Sequence, residues 1–212
     1  MARDECVCVV SGLPRSGTSM AMAMLGAGGM ELFADGVRAA DADNPAGYFE
    51  HELAKGIRTD NSWVARAIGK VVKIVSPSLR YLPDSLNYSV VFMRRDLGEI
   101  GRSQEQMLIR LGRATGGDGV AMAEAMRHHL LQVEDWLAQQ VNMNILYLDY
   151  REVVERPSEA CRRLVQFANL NGDPARMAAV VEARLYRQRA GSSRRIHEEG
   201  HGISKQDLHQ DG

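Results

Sequence analysis

Apolar positions along this chain fall into two rhythms. Four short runs rich in β-branched and apolar residues, at 6–11, 71–75, 89–93 and 144–148, read as buried strands of the kind that pair in parallel. Between them, over 19–28, 51–68, 96–111, 120–140 and 152–168, apolar residues recur three and four apart, the spacing of an amphipathic helix. Strand and helix alternate, which predicts an α/β fold: a mostly parallel central sheet flanked by helices.

With 212 residues, the chain is long enough for one good core, so a single domain is expected over 1–190. The polar stretch 191–212 has few apolar anchors and is expected to be a flexible tail, its His197, His201 and His209 solvated. Lys and Arg number 26 against 27 Asp and Glu, a formal net charge of −1. No global field is available to hold nucleic acid, and any anion must be met locally. No stretch approaches the roughly 18 apolar residues of a membrane span, and the N-terminus does not fit a secretory signal. Three cysteines, Cys6, Cys8 and Cys161, form neither an even disulfide framework nor a zinc cluster, which points to a reduced, cytoplasmic setting. Alternation puts Cys6 and Cys8 on one strand face, as small buried hydrophobes. No metal site is expected: His128 and His129 point about 100° apart on a helix and read as solvated or capping, and Met20, Met22 and Met24 as packing. The segment 114–119, ATGGDG, breaks two helices and reads as a connection or as a flexible loop near a substrate entrance.

The first strand runs into Gly12-Leu13-Pro14-Arg15-Ser16-Gly17-Thr18-Ser19. Against the nucleotide-binding pattern G-x-x-x-x-G-K-[ST], both glycines and the final hydroxyl match, and Thr18 stands where the lysine belongs. The setting is that of P-loop NTPase-like folds, and the logic of the loop survives: glycines turn backbone N–H groups inward, and the next helix points its positive end at an anion. The fixed cation is Arg15, whose planar guanidinium suits bidentate contact with oxyanions. A triphosphate, which needs the lysine, is the poorer match.

This loop resembles the 5′-phosphosulfate loop of sulfotransferases, in which Lys or Arg precedes Ser-Gly-Thr, and its Arg form resembles the tyrosylprotein and bacterial branches. The resemblance implies an enzyme that moves a sulfuryl group from 3′-phosphoadenosine 5′-phosphosulfate (PAPS) to a hydroxyl or amine acceptor, with no metal required. It assigns Arg15 to charge on the transferring group, and Ser16, Gly17, Thr18 and Ser19 to the 5′-phosphate. The segment VVFMRRD at 90–96 with Ser103 resembles the family's 3′-phosphate motif, in which an Arg at a strand end and a Ser two helical turns later grip the extra phosphate. Arg95 fits that spacing better than Arg94. KIVSP at 73–77 resembles the family's Lys-Thr-His-Leu-Pro segment: Lys73 matches, but Val75 stands where the histidine base belongs. The base is then sought after the Pro and Gly turn at 44–47, where Glu50, with His51 as alternative, can accept a proton. LYLDYRE at 146–152 resembles the family's strand-to-helix segment that brings a tyrosine to the adenosine. Tyr150 would do so here, or would be a buried tyrosine bonded to backbone. Trp63 suits either an adenine or the core, and Arg187, beside Arg189, stands where the family has a basic loop, although Arg-Lys-Gly is absent. Two other functions fit parts of the pattern: a P-loop nucleotide kinase or NTPase, with Asp149 as the Mg²⁺-linked acid, and a non-catalytic nucleotide-binding module.

Overall fold

Strand β1 (Cys6–Gly12) is buried at every position, because it has neighbours on both edges and helices over both faces. A computed structural model describes residues 5–36, 48–113 and 119–181. In it, β1 joins β2 (Val71–Lys73), β3 (Asn87–Arg94) and β4 (Met143–Asp149) in a sheet of order β2-β1-β3-β4. Every pairing is parallel, as the unbroken apolar runs predict. The register sets Lys73 beside Val10, Met93 beside Gly12 and Asp149 beside Arg94.

Alternate residues of each strand feed two cores. Cys8, Val10, Val91, Met93 and Leu148 face helix α1 (Thr18–Ala27) together with α5 (Tyr150–Glu155), α6 (Pro157–Phe167) and α7 (Pro174–Ala178). Val7, Val9, Val72, Val90 and Phe92 face the other way, onto Val133 and Leu137 of α4 (Gly119–Ala138) and onto two 3-10 turns, Ser62–Ala67 and Ser76–Tyr81. All three cysteines are buried, and none forms a disulfide.

Two expected helices are divided. The stretch 51–68 is a short α2 (Glu52–Lys55) followed by the turn Ser62–Ala67. Gly56 caps the first piece, and the Asp60 carboxylate starts the second by accepting from both the backbone and the hydroxyl of Ser62. The stretch 152–168 breaks between α5 and α6 at Pro157, which has no N–H to give and forces Arg156 out of the helical region. Arg156 sits at φ −134. Helix α3 (Leu97–Arg110) starts on an Asp96 cap and carries Ser103. The Gly-rich segment at 114–118, the turn at 44–47, Arg187 and the tail lie outside the described residues.

The chain steps from β1 outward to β2, then crosses to β3 on the other side of β1. Between β1 and β3 the strand order reverses, and the crevice outside the carboxyl ends at such a point is where open α/β sheets take ligands. No helix among the described residues is long and apolar enough to cross a membrane.

Phe92 is fully buried, with the Tyr147 ring edge-on at a centroid distance of 5.7 Å. Phe92→Ala is therefore expected to destabilise the fold by about 3–5 kcal/mol, read as a lowered urea midpoint; a loss under about 1 kcal/mol would mean that this layer is not the core.

Candidate functional site at the carboxyl edge of the sheet

The loop between β1 and α1 is shaped by close approach. Gly12 has φ 142, and a Cβ there would fall 2.5 Å from the Met93 carbonyl oxygen and 2.5 Å from Ser16 Oγ. Gly17 caps α1 in the left-handed region at φ 101, and a Cβ there would meet the Tyr150 ring at 2.4 Å. Arg15 also has a positive φ, 72, an uncommon state for a residue with a Cβ and one that clusters at functional sites. Gly17 brings no capping side chain, and the first turn of α1 holds no acid. The positive end of the helix is therefore not answered by an acid of its own first turn, which suits an anion.

Around this loop the structure brings together most of the residues expected from sequence. Arg15 Nε donates to Ser103 Oγ at 3.1 Å. Arg95 donates from Nη1 to the Arg15 carbonyl oxygen at 2.9 Å, and its guanidinium carbon lies 4.2 Å from the centre of the Tyr150 ring. Arg94 turns away, with Nε 2.9 Å from Glu134 and the guanidinium stacked on Tyr147, so of the two arginines Arg95 is the one at the loop. Ser103 is met by Arg15 rather than by the Arg95 expected to share a phosphate with it. Tyr150 is buried beneath the loop, and Asp149 accepts from the N–H groups of Arg151 and Glu152 as a helix cap. Trp63 belongs to the core.

A second cluster flanks the loop on the β2 side. Lys73, buried on β2, donates to the Tyr48 carbonyl at 3.0 Å and to Ser19 Oγ at 3.3 Å, and pairs with Glu50 at 3.2 Å. Lys73, Ser19 and Glu50 therefore share one locus. Phe49, just before Glu50, is held at φ 49, a strained state for an aromatic residue. The alternative base, His51, has its Nδ1 committed to the Leu53 N–H as the cap of α2. Its other nitrogen then carries the proton, so in this tautomer it has no lone pair to offer.

Among the described residues, three buried side-chain polar atoms have no hydrogen-bond partner: Ser11 Oγ, Ser16 Oγ and Arg95 Nη2. A buried donor without a partner costs about 1–3 kcal/mol. Two of the three belong to the loop and to the arginine behind it, and both fit an anion ligand. Glu99, a buried carboxylate paired with Arg95, was not legible as part of this site. Its only signal is a spacing of four from Arg95. His129 also differs from expectation: it is half-buried, with Nε2 2.9 Å from Ser76 Oγ just beyond β2, because α4 packs its inner face on this side of the sheet. Burial, then the charge of Arg80, holds its imidazole below the usual range. Among the described residues no group of three or more His, Cys, Asp and Glu side chains is arranged to hold a metal ion.

No family model matches the chain, and no curated protein matches it in sequence. Solved structures match it in fold. The sulfotransferase domain from the curacin biosynthetic pathway superposes with a TM-score of 0.50 at 13% identity, covering 87% of this chain and 90% of that one. Mouse sulfotransferase SULT7A1 complexed with PAP gives 0.48 at 14% identity over 87% of this chain and 64% of that one. A sulfotransferase from Alicyclobacillus acidocaldarius gives 0.46 at 12% over 88% and 97%. The chain has the sulfotransferase fold, an all-parallel sheet flanked by helices, with the loop between β1 and α1 at its carboxyl edge.

Two outcomes test the local geometry. Gly17→Ala meets both the left-handed backbone and the Tyr150 ring, so a thermal midpoint lowered by several degrees is expected, and an unchanged midpoint would contradict the close approach. The lowered His129 affinity for protons gives stability that is complete above the ordinary imidazole range, about 6.5, and is lost as pH falls below it. The urea midpoint of the wild type is expected to fall more steeply between pH 7 and 5 than that of His129→Gln; parallel profiles would contradict this.

Proposed function

We propose that this protein is a PAPS-dependent sulfotransferase acting on a hydroxyl or amine acceptor. The observation that carries the reading is the pair of buried, unpartnered donors, Ser16 Oγ and Arg95 Nη2, beside the uncapped start of α1 and the guanidinium of Arg15. Donors of this kind call for an anion, and their places on the loop and behind it are compatible with one that carries two phosphates. The loop, through Ser16, Gly17, Thr18 and Ser19, holds the 5′-phosphate. Arg95 with Ser103 holds the 3′-phosphate, and Tyr150, under the loop, supports the nucleoside end. Arg187 is proposed as an additional, weaker contact.

PAPS supplies a sulfuryl group already activated on a phosphate. Arg15 and Lys73 neutralise the charge that collects on the bridging oxygen as the bond to sulfur breaks and the electron pair stays with the phosphate. Lys73 is pre-oriented for this by Glu50 and by the Tyr48 carbonyl, 3.2 and 3.0 Å away. Glu50, partly open to solvent, takes the proton from the acceptor oxygen or nitrogen as the new bond to sulfur forms. Most of the rate then comes from positioning and electrostatics, as in phosphoryl transfer.

The test is release of 3′-phosphoadenosine 5′-phosphate (PAP) from PAPS in the presence of a panel of phenols, alcohols and amines. Arg15→Ala is expected to lower transfer by about 10²-fold or more with little change in thermal midpoint, since alanine at φ 72 is strained no more than arginine. Loss of stability in step with loss of binding would make Arg15 a structural residue. Donor binding with no transfer across the panel would favour a non-catalytic nucleotide-binding module.

A further inference from the structure

Glu99 is only 2% exposed, in the first turn of α3, and its Oε2 lies 3.1 Å from Arg95 Nε. The Arg95 side chain is 6% exposed. Its guanidinium is thus fixed on three sides: by Glu99 at Nε, by the Arg15 carbonyl at Nη1, and by the face of Tyr150. Nη2 is left, buried and without a partner. A buried cation needs a counter-ion, and Glu99 is the resident one.

We propose that Glu99 is a positioning residue that fixes Arg95 for the second phosphate of the nucleotide and, as its resident counter-ion, limits how tightly that phosphate is held. The inference rests on the donor assignment above. A phosphate at Nη2 is attracted by Arg95 and repelled by the Glu99 carboxylate on the far side of the same guanidinium, where the surroundings screen far less than water does. The phosphate held by the loop meets backbone N–H groups and is much less affected. Glu99 therefore acts on the difference between a bisphosphate and a monophosphate nucleotide. This has a functional use, because PAP keeps both phosphates and must leave after each transfer. A half-neutralised Arg95 recognises the second phosphate without trapping the product.

The experiment measures dissociation constants of PAP and AMP by calorimetry in the full-length wild type and in Glu99→Gln, which keeps shape and an acceptor for Arg95 Nε but removes the charge. The ratio Kd(AMP)/Kd(PAP) is expected to rise by about tenfold or more in Glu99→Gln. A ratio that stays the same or falls would overturn the inference, because a merely structural glutamate changes both constants together. Glu99→Asp keeps the charge but draws it back by one methylene, and is expected to raise the ratio by less. Should Glu99→Gln not fold, Glu99→Asp decides, a rise supporting the proposal and an unchanged ratio overturning it. The donor assignment is read separately, in the wild type alone: if the wild type binds PAP no better than AMP, that assignment fails, and this inference with it.

Discussion

The approach of the loop between β1 and α1 to β3 is the constraint on which the rest of the site depends. Gly12 sits opposite Met93 with no room for a side-chain carbon, and Met93 is followed by Arg94, the last residue of β3, and then by Arg95. That contact brings the Arg15 carbonyl within hydrogen-bond reach of Arg95 and the Arg15 side chain within reach of Ser103. Two segments some eighty residues apart come together at one edge of the sheet because parallel register leaves their ends level. Tyr150, delivered by the neighbouring β4, fills the space under Gly17 and closes the arrangement from below.

Charge is distributed around this surface in pairs. Arg95 is matched by Glu99 and Lys73 by Glu50, so buried cations keep a partner near the site, as burial requires. A chain with a net charge of −1 can thus gather cations at one locus without an overall excess of basic residues. The cations are local and backed by helix α1, whose start carries no acid of its own.

Much of this was legible in the sequence. Apolar runs marked the strands to within two residues because a strand buried on both faces leaves an uninterrupted apolar signature. Arg15, Ser19, Lys73, Arg95, Ser103 and Tyr150 could be singled out because their segments resemble sulfotransferase motifs, and each lies at the carboxyl end of a strand or on the helix that follows. Local capping chemistry was harder to read. The break at Pro157 and the division around Gly56 and Asp60 follow from single residues that a three-and-four periodicity smooths over. Partnerships across the fold were hardest. Nothing local sets Glu99 apart from Glu105 on the same helix, and His129 reads as a solvated or capping helix residue, since burial depends on what packs over a face rather than on the residue itself.

The proposed function requires a site that takes a nucleotide with a phosphate at each end rather than a triphosphate with magnesium. Calorimetric titration with PAP beside ATP with Mg²⁺ tests this most directly. The account predicts clear preference for PAP, reduced selectively by Arg95→Ala. Tighter binding of ATP with Mg²⁺ would contradict it and return the loop to the kinases and NTPases that its glycines also resemble.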